Sequence, residues 1–336
     1  MRRALPAVLG VVLGAAVALA VLLPGYVGLD GVTPFVQLAA LAPLLLVVIT
    51  GSVFVGRLAG VVLSRGRRAK PPLDERRPRL FAVGFAAMVG AALVALTAAG
   101  IVGSRLLADE PAPPGGRELT TLTLNVDQGR ADVDALAALV RERRPDVVVL
   151  PEAGEPFRAA LAARLPEHRS WSARTDSPRD AASVTVLVGP GLPEPRVTTV
   201  PSTLYGTLDL TFPGIRVVAL HTAAPYPPER VGLWQRDLAD LVAPPCRGDA
   251  PVAVVGDLNA TTDHSAFRAA SAGCTDALEA LGSGTTGTYP AELPRWFGIQ
   301  IDHVLAGGGV GVRDGEVLDV PGTDHRAVLV RLSLPR

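Results

Sequence analysis

The segment PVAVVGDLNATTDH, residues 251–264, runs from hydrophobic residues into an acid, a leucine and an amide directly after a glycine. In an extended chain alternate side chains share a face, so Asp257 and Asn259 can address one ligand while Leu258 turns to the core. Gly256 lets the backbone bend or come close to a bound group. Taken alone, the stretch reads equally well as an Asx-type turn closing a strand. The same kind of residue recurs elsewhere: Asn125, Glu152, His221, Asp302 with His303, and Asp324 with His325 each fall at or beside the end of an expected strand. One acid after a strand is ordinary turn chemistry, but the conjunction of carboxylates, amides and imidazoles favours a single polar site. Carboxylate and amide oxygens are hard ligands suited to Mg²⁺, with Mn²⁺ as an alternative, and the lack of Cys or paired-His ligand spacing argues against zinc. Asn and His donors can hold nonbridging phosphate oxygens.

The elements that must carry these residues are strand-like runs at LTTLTLN, DVVVLP, SVTVLV, LYGTLDLTF, IRVVALH, PVAVVGD, IDHVLA and HRAVLVRLSL. Helical periodicity alternates with them. DVDALAALVRER keeps Val133, Leu136, Ala137 and Val140 on one side, and PPERVGLWQRDLADLV does so with Val231, Trp234, Leu238 and Leu241. Mixed strands and helices over residues 118–336 make one α/β domain. The Pro/Gly-rich residues 106–117 read as a semi-stiff linker.

The first third of the chain differs in composition. Residues 4–23, 33–56 and 80–103 are apolar runs long enough to cross a bilayer, so residues 1–105 are expected to form a membrane region of three spans. For the first run a cleaved secretory signal is the competing reading, because MRR resembles a basic leader and ALA at 18–20 a cleavage site. Eight Lys or Arg lie between the second and third runs and none between the first and second. The positive-inside rule then keeps the basic loop in the cytoplasm and sends the large domain outside. The basic loop need bind nothing beyond anionic headgroups, and the Gly10/Gly14 spacing is more often incidental than a dimer seam.

From residue 106 the chain has 21 Arg, no Lys and 29 acidic residues, a formal charge of −8. A strongly basic nucleic-acid footprint is therefore absent. Cys246 and Cys274 are candidates for one disulfide if this domain sits in an oxidising compartment, with two free buried thiols as the alternative.

The motifs LNVDQG, LPE, HT, GDLNAT, IDHVL and GTDHRAV occur in the order seen in the endonuclease/exonuclease/phosphatase superfamily, which the chain resembles over roughly residues 118–334. The resemblance implies a DNase I-like four-layer α/β sandwich with its site at one edge. It also implies that Glu152 is the principal metal ligand, with Asn125 and Asp127 beside it and Asp324 supporting the metal end. Asp257 would orient and deprotonate the attacking water, and Asn259 would hold that water or a phosphate oxygen. His325 resembles the phosphate-contacting histidine, backed by Asp302, and His221 matches the second histidine of the DNase I-like branch. Two positions depart from the pattern: Pro151 stands where Gln is common before the metal glutamate, and Leu187 where a Ser often ends the middle strand. His303 should face away from Asp302 as a packed residue, and His168 and His264 read as surface or loop residues.

These readings make the protein a membrane-anchored, extracytoplasmic, Mg²⁺-dependent phosphoesterase that cleaves a phosphodiester or phosphomonoester by in-line attack of water. Its expected partners are the lipid bilayer and a phosphate-ester substrate: a lipid headgroup, a small phosphodiester or nucleic acid, with a slight lean away from nucleic acid. The alternative is a catalytically inactive binding or scaffold ectodomain, which an intact set of site residues disfavours.

Overall fold

The computed structural model describes residues 5–49, 51–52, 77–112, 116–173 and 182–335. It divides into two compact units, Met1–Ser104 and Arg105–Arg336.

In the first unit, helices α1 (Leu5–Leu22) and α3 (Arg77–Ser104) pair through glycine contacts. A Cβ on Gly10 would lie 2.6 Å from the Val83 carbonyl oxygen, one on Gly14 2.0 Å from that of Ala87, and one on Gly90 2.1 Å from that of Val11. The Gly10/Gly14 spacing is thus a helix seam within the chain, where small residues let two backbones touch. Ala18, Leu22, Leu23, Leu46, Val94 and Ala98 form a small core, while Leu9, Phe85 and Leu96 are exposed.

The expectation of three spans is not met among the described residues. One helix, Val83–Ser104, is long and apolar enough to cross a bilayer; Val8–Leu22 is a shorter apolar helix. At 1.5 Å per residue the former reaches about 33 Å, against a hydrocarbon core of about 30 Å. The second expected span is interrupted: α2 (Phe35–Ala40) is capped by Pro34 and ends at Leu41, and the helix resumes over 42–49. Pro43 falls in that restart, the first-turn position where a missing N–H costs nothing. Residues 53–56 of that expected span, and most of the basic loop, lie outside the described residues.

Among the described residues of the second unit, twelve strands form two six-stranded sheets. The first runs β11 (Gly311–Asp319), β12 (Arg326–Ser333), β1 (Glu118–Thr123), β2 (Val147–Pro151), β4 (Val184–Val188), β3 (Arg169–Ser172). The second runs β5 (Arg196–Val200), β6 (Thr207–Phe212), β7 (Ile215–His221), β8 (Val252–Asp257), β10 (Asp302–Gly307), β9 (Thr275–Asp276). Alternation sets the layers. Val147, Val149, Val184, Val186, Val217, Ala219, Ala253 and Val255 interdigitate between the sheets. Val148, Leu150 and Leu187 point outward against Leu136, Val140, Phe157 and Leu161 of α4 (Val133–Arg143) and α5 (Glu155–Arg164). Leu187 therefore serves as core where a serine was expected.

Outside the second sheet, Trp234 of α6 (Val231–Asp237), Leu238 and Leu241 are buried as their spacing requires. Cys246 in α7 (Ala243–Arg247) and Cys274, just beyond α8 (Ser265–Ser271), are joined in a disulfide. The short helix α9 (Ala277–Ala280) follows β9. The start of the expected linker is fastened to the domain: Asp109 N–H donates to Ala280 O and Ala112 N–H to Val312 O, while Ala108 bridges Leu281.

A candidate metal and phosphate site at the sheet edges

Pairing brings the polar residues to one edge of each sheet. β1 and β2 are parallel and β12 is antiparallel to β1, so the ends carrying Asn125 and Glu152 meet the start carrying His325. In the second sheet Asp257 is the direct register partner of both His221 on β7 and Asp302 on β10. Thr323 Oγ1 then joins the first-sheet ends by donating to Asn125 O at 2.7 Å. Gly256 is required by β7: at φ +149° a Cβ there would lie 1.9 Å from Leu220 O.

Asn125 is central. Its Nδ2 donates to Glu152 Oε1 at 3.2 Å and Asp257 Oδ2 at 3.0 Å. Glu152 has φ +61° and Asn259 φ +46°, left-handed backbone that costs a residue such as glutamate about 1–2 kcal/mol and is easier for asparagine. Gln128 N–H steadies Glu152 Oε2 at 3.0 Å. Asn259 N–H donates to Asp257 Oδ1 at 2.9 Å, and its amide lies 3.2 Å from His221 Nε2. His325 Nδ1 lies 2.9 Å from Asp302 Oδ2, and its Nε2 lies 3.9 Å from both Asp257 Oδ2 and Asp324 Oδ1. All nine expected residues thus share one connected network, Asp127 joining it through its N–H, which donates to Asn125 Oδ1 at 2.9 Å. The Asp127 carboxylate itself is engaged by Arg130, so a role for that carboxylate at a cation would compete with the pair.

Electrostatics polarises the cluster. Burial, aided by the Asp302 carboxylate, pushes Asp257 up to about 7. Burial likewise raises Glu152 and Asp324. Burial alone would lower His325, but Asp302, Asp257 and Asp324 override it and raise it to about 10. His221, buried and repelled by His325, drops to about 3 and is neutral. Of the two imidazoles His325 therefore carries the positive charge, while neutral His221 lies against the Asn259 amide.

The donor set fits a divalent cation. Asp302 Oδ1 is buried without a hydrogen-bond partner, and the raised carboxylates mark an excess of oxygen donors over cations. Asp257, Asp302 and His325 offer ligand atoms all within 4.8 Å of one another. Glu152 joins this group through Asn125, whose Nδ2 donates to both Glu152 Oε1 and Asp257 Oδ2.

Residues without a strand-end signal complete the site. Tyr205 stacks on His221 at 4.0 Å and 6°, and Tyr289 tilts against His325 at 4.9 Å. Both contacts join segments separated in the chain, and no local sequence pattern encodes them. His303 is packed as expected, paired with Asp276. His264, expected at the surface, is buried: its Nδ1 accepts from Thr261 N–H at 2.9 Å and its ring meets Trp234 edge-on. Trp296 is exposed.

The family model of the Endonuclease/Exonuclease/phosphatase family matches residues 122–325. The chain belongs to that family and is a metal-dependent hydrolase of phosphoester bonds. Among solved structures it resembles humanized D. rerio TDP2 (16% identity, TM-score 0.52, covering 64% of this chain and 99% of that one). It is similarly close to an endonuclease/exonuclease/phosphatase from Bacteroides vulgatus (16%, 0.52, 65% and 100%). These likenesses carry the fold. No curated protein matches the sequence.

Proposed function

We propose that the protein is a membrane-anchored, extracytoplasmic, Mg²⁺-dependent phosphoesterase in which water attacks phosphorus in line. The observation that carries this reading is the convergence of Glu152, Asp257 and His325 on Asn125 and Asp302. Glu152 and Asn125 would hold the cation, with Asp324 and Asp127 flanking. When bound, the cation supplies Lewis-acid stabilisation of the phosphoryl oxygens. Asp257, poised near neutrality, takes the proton of the attacking water, where a base is most effective. Asn259, fixed by Asp257 and the Thr222 carbonyl, orients that water or a phosphate oxygen. His325, held charged and oriented by Asp302, donates to the oxygen on which charge builds.

The anchoring reading is supported by Val83–Ser104, by the exposed apolar residues of α1 and α3, and by the Cys246–Cys274 disulfide, which persists in oxidising compartments. The formal charge of −8 from residue 106 onward supports small phosphodiesters or lipid headgroups over polyanions.

The full chain is tested on bis(p-nitrophenyl) phosphate with Mg²⁺ and with EDTA, then on DNA, RNA, phospholipid and phosphoinositide. Hydrolysis that survives EDTA, or full metal-dependent rates in Glu152→Ala, rejects the assignment. Alkaline phosphatase fused at the C-terminus should be active and, in the basic loop, silent; the reverse pattern overturns the orientation.

A further inference from the structure

The loop from Leu258 to His264 carries Asn259 away from β8 and is anchored on several sides. Thr222 Oγ1 and Trp234 Nε1 donate to Leu258 O at 2.7 and 3.2 Å, and His303 Nε2 lies 2.8 Å from Ala260 O. A further anchor comes from outside the sandwich. Arg105 is the residue directly after α3, and its guanidinium makes a two-pronged ion pair with Asp263: Nη1 to Oδ2 at 2.8 Å and Nη2 to Oδ1 at 2.7 Å. The two side chains are 7% and 4% exposed. Arg105 Nε also reaches Glu279 Oε1 at 3.3 Å, and its carbonyl accepts from Gly284 N–H.

We infer that Arg105 is a positioning residue: its clasp on Asp263 holds the loop that presents Asn259, so the geometry of the water-handling groups depends on the residue that leaves the apolar helix. The planar fork matches a carboxylate in two places at once, which lysine cannot do. Deleting the arginine strands a buried carboxylate, and a stranded charge is relieved by opening the segment to water. That segment includes the left-handed Asn259, whose N–H holds Asp257 Oδ1. Small displacements of such groups cost rate while leaving binding of the substrate body intact.

The rate readout rests on the phosphoesterase reading; a second readout does not. In the full chain, Arg105→Ala should lower kcat on bis(p-nitrophenyl) phosphate by about 10–100-fold with KM within about twofold, as losses of outer positioning contacts do. Hydrogen exchange of the amides of residues 258–264 should rise, because Thr261 N–H and His264 N–H are bonded within this loop. Arg216→Ala, which opens the Asp209 pair at the opposite end of β7, should leave both unchanged. Should Arg105→Ala fail to fold, Arg105→Lys keeps the charge without the fork and should give the same split at smaller size. Unchanged kcat and unchanged loop exchange in a folded variant overturn the inference. A wild-type chain without activity but with faster loop exchange in the variant removes the phosphoesterase reading and keeps the clasp.

Discussion

His325 and His221 both approach one oxygen of the Asp257 carboxylate, their Nε2 atoms 3.9 and 3.5 Å from its Oδ2, yet they are held in different charge states. His325 has Asp302 on Nδ1 and is pushed up to about 10, whereas His221 has a buried Nδ1 with no partner and falls to about 3. One imidazole is a fixed cation and the other a neutral prop. That asymmetry gives the site one positively charged and one neutral imidazole at the same pH.

Asp302→Asn should remove the charge that holds His325 protonated. The His325 imidazole, followed by NMR titration, is expected to move from about 10 towards its ordinary value, with activity falling about 100-fold or more. A raised histidine stabilises the fold fully below its unfolded pKa of about 6.5, and this stabilisation is lost as pH rises through about 10. Urea midpoints of the wild type should therefore decline between pH 7 and 10, and the variant should show a flatter profile.

Asp257→Asn keeps the shape of the side chain and removes a carboxylate that burial disfavours. The variant should lose activity by about 1,000-fold or more while melting at or above the wild-type temperature in EDTA at pH 8, where wild-type Asp257 is ionised. Calorimetry beside the rate measurement checks both halves. A variant that is active, or that melts well below the wild type, contradicts the base assignment or the burial argument respectively.

Adding Mg²⁺ should raise the melting temperature of the wild type, since a cation that binds only the folded state contributes about 2.7 kcal/mol at 100 times its Kd. Glu152→Ala should abolish most of that rise. An equal shift in both proteins would place the cation elsewhere.

Tyr205→Ala opens the face of His221 that the stacked ring covers. Water then reaches the imidazole, and its pKa should rise from about 3 towards the ordinary value. Tyr205→Phe retains the ring and should retain the low value. The same NMR titration reads both.

Gly14→Leu should part the first unit's helices, because even a Cβ at that position would lie 2.0 Å from Ala87 O. Cysteines placed at Ala15 and Ala91, partly buried in the shared core of the pair, are expected to crosslink in the wild-type background and not beside Gly14→Leu.

Strand positions and the residues that end them were legible in the sequence, because alternation and apolar runs are local patterns read directly from residue order. Asn125, Glu152, His221, Asp257, Asp302 and His325 could be singled out on that basis alone, and the motif order added the family. The four edge-like strands β3, β5, β9 and β11 were not among the expected runs; β9 spans two residues, and β3 and β5 contain no fully buried residue, so they lack a hydrophobic signature. The second apolar stretch looked continuous by composition, yet Pro34 and the break at Leu41 divide its helix. What tertiary structure alone decided is that His221 is held neutral, that Gly256 makes room for β7, that Gly10 and Gly14 face α3, and that Arg105 reaches Asp263. Each depends on atoms brought together from distant parts of the chain, and pairwise distance and burial, unlike periodicity, leave no trace in the order of residues.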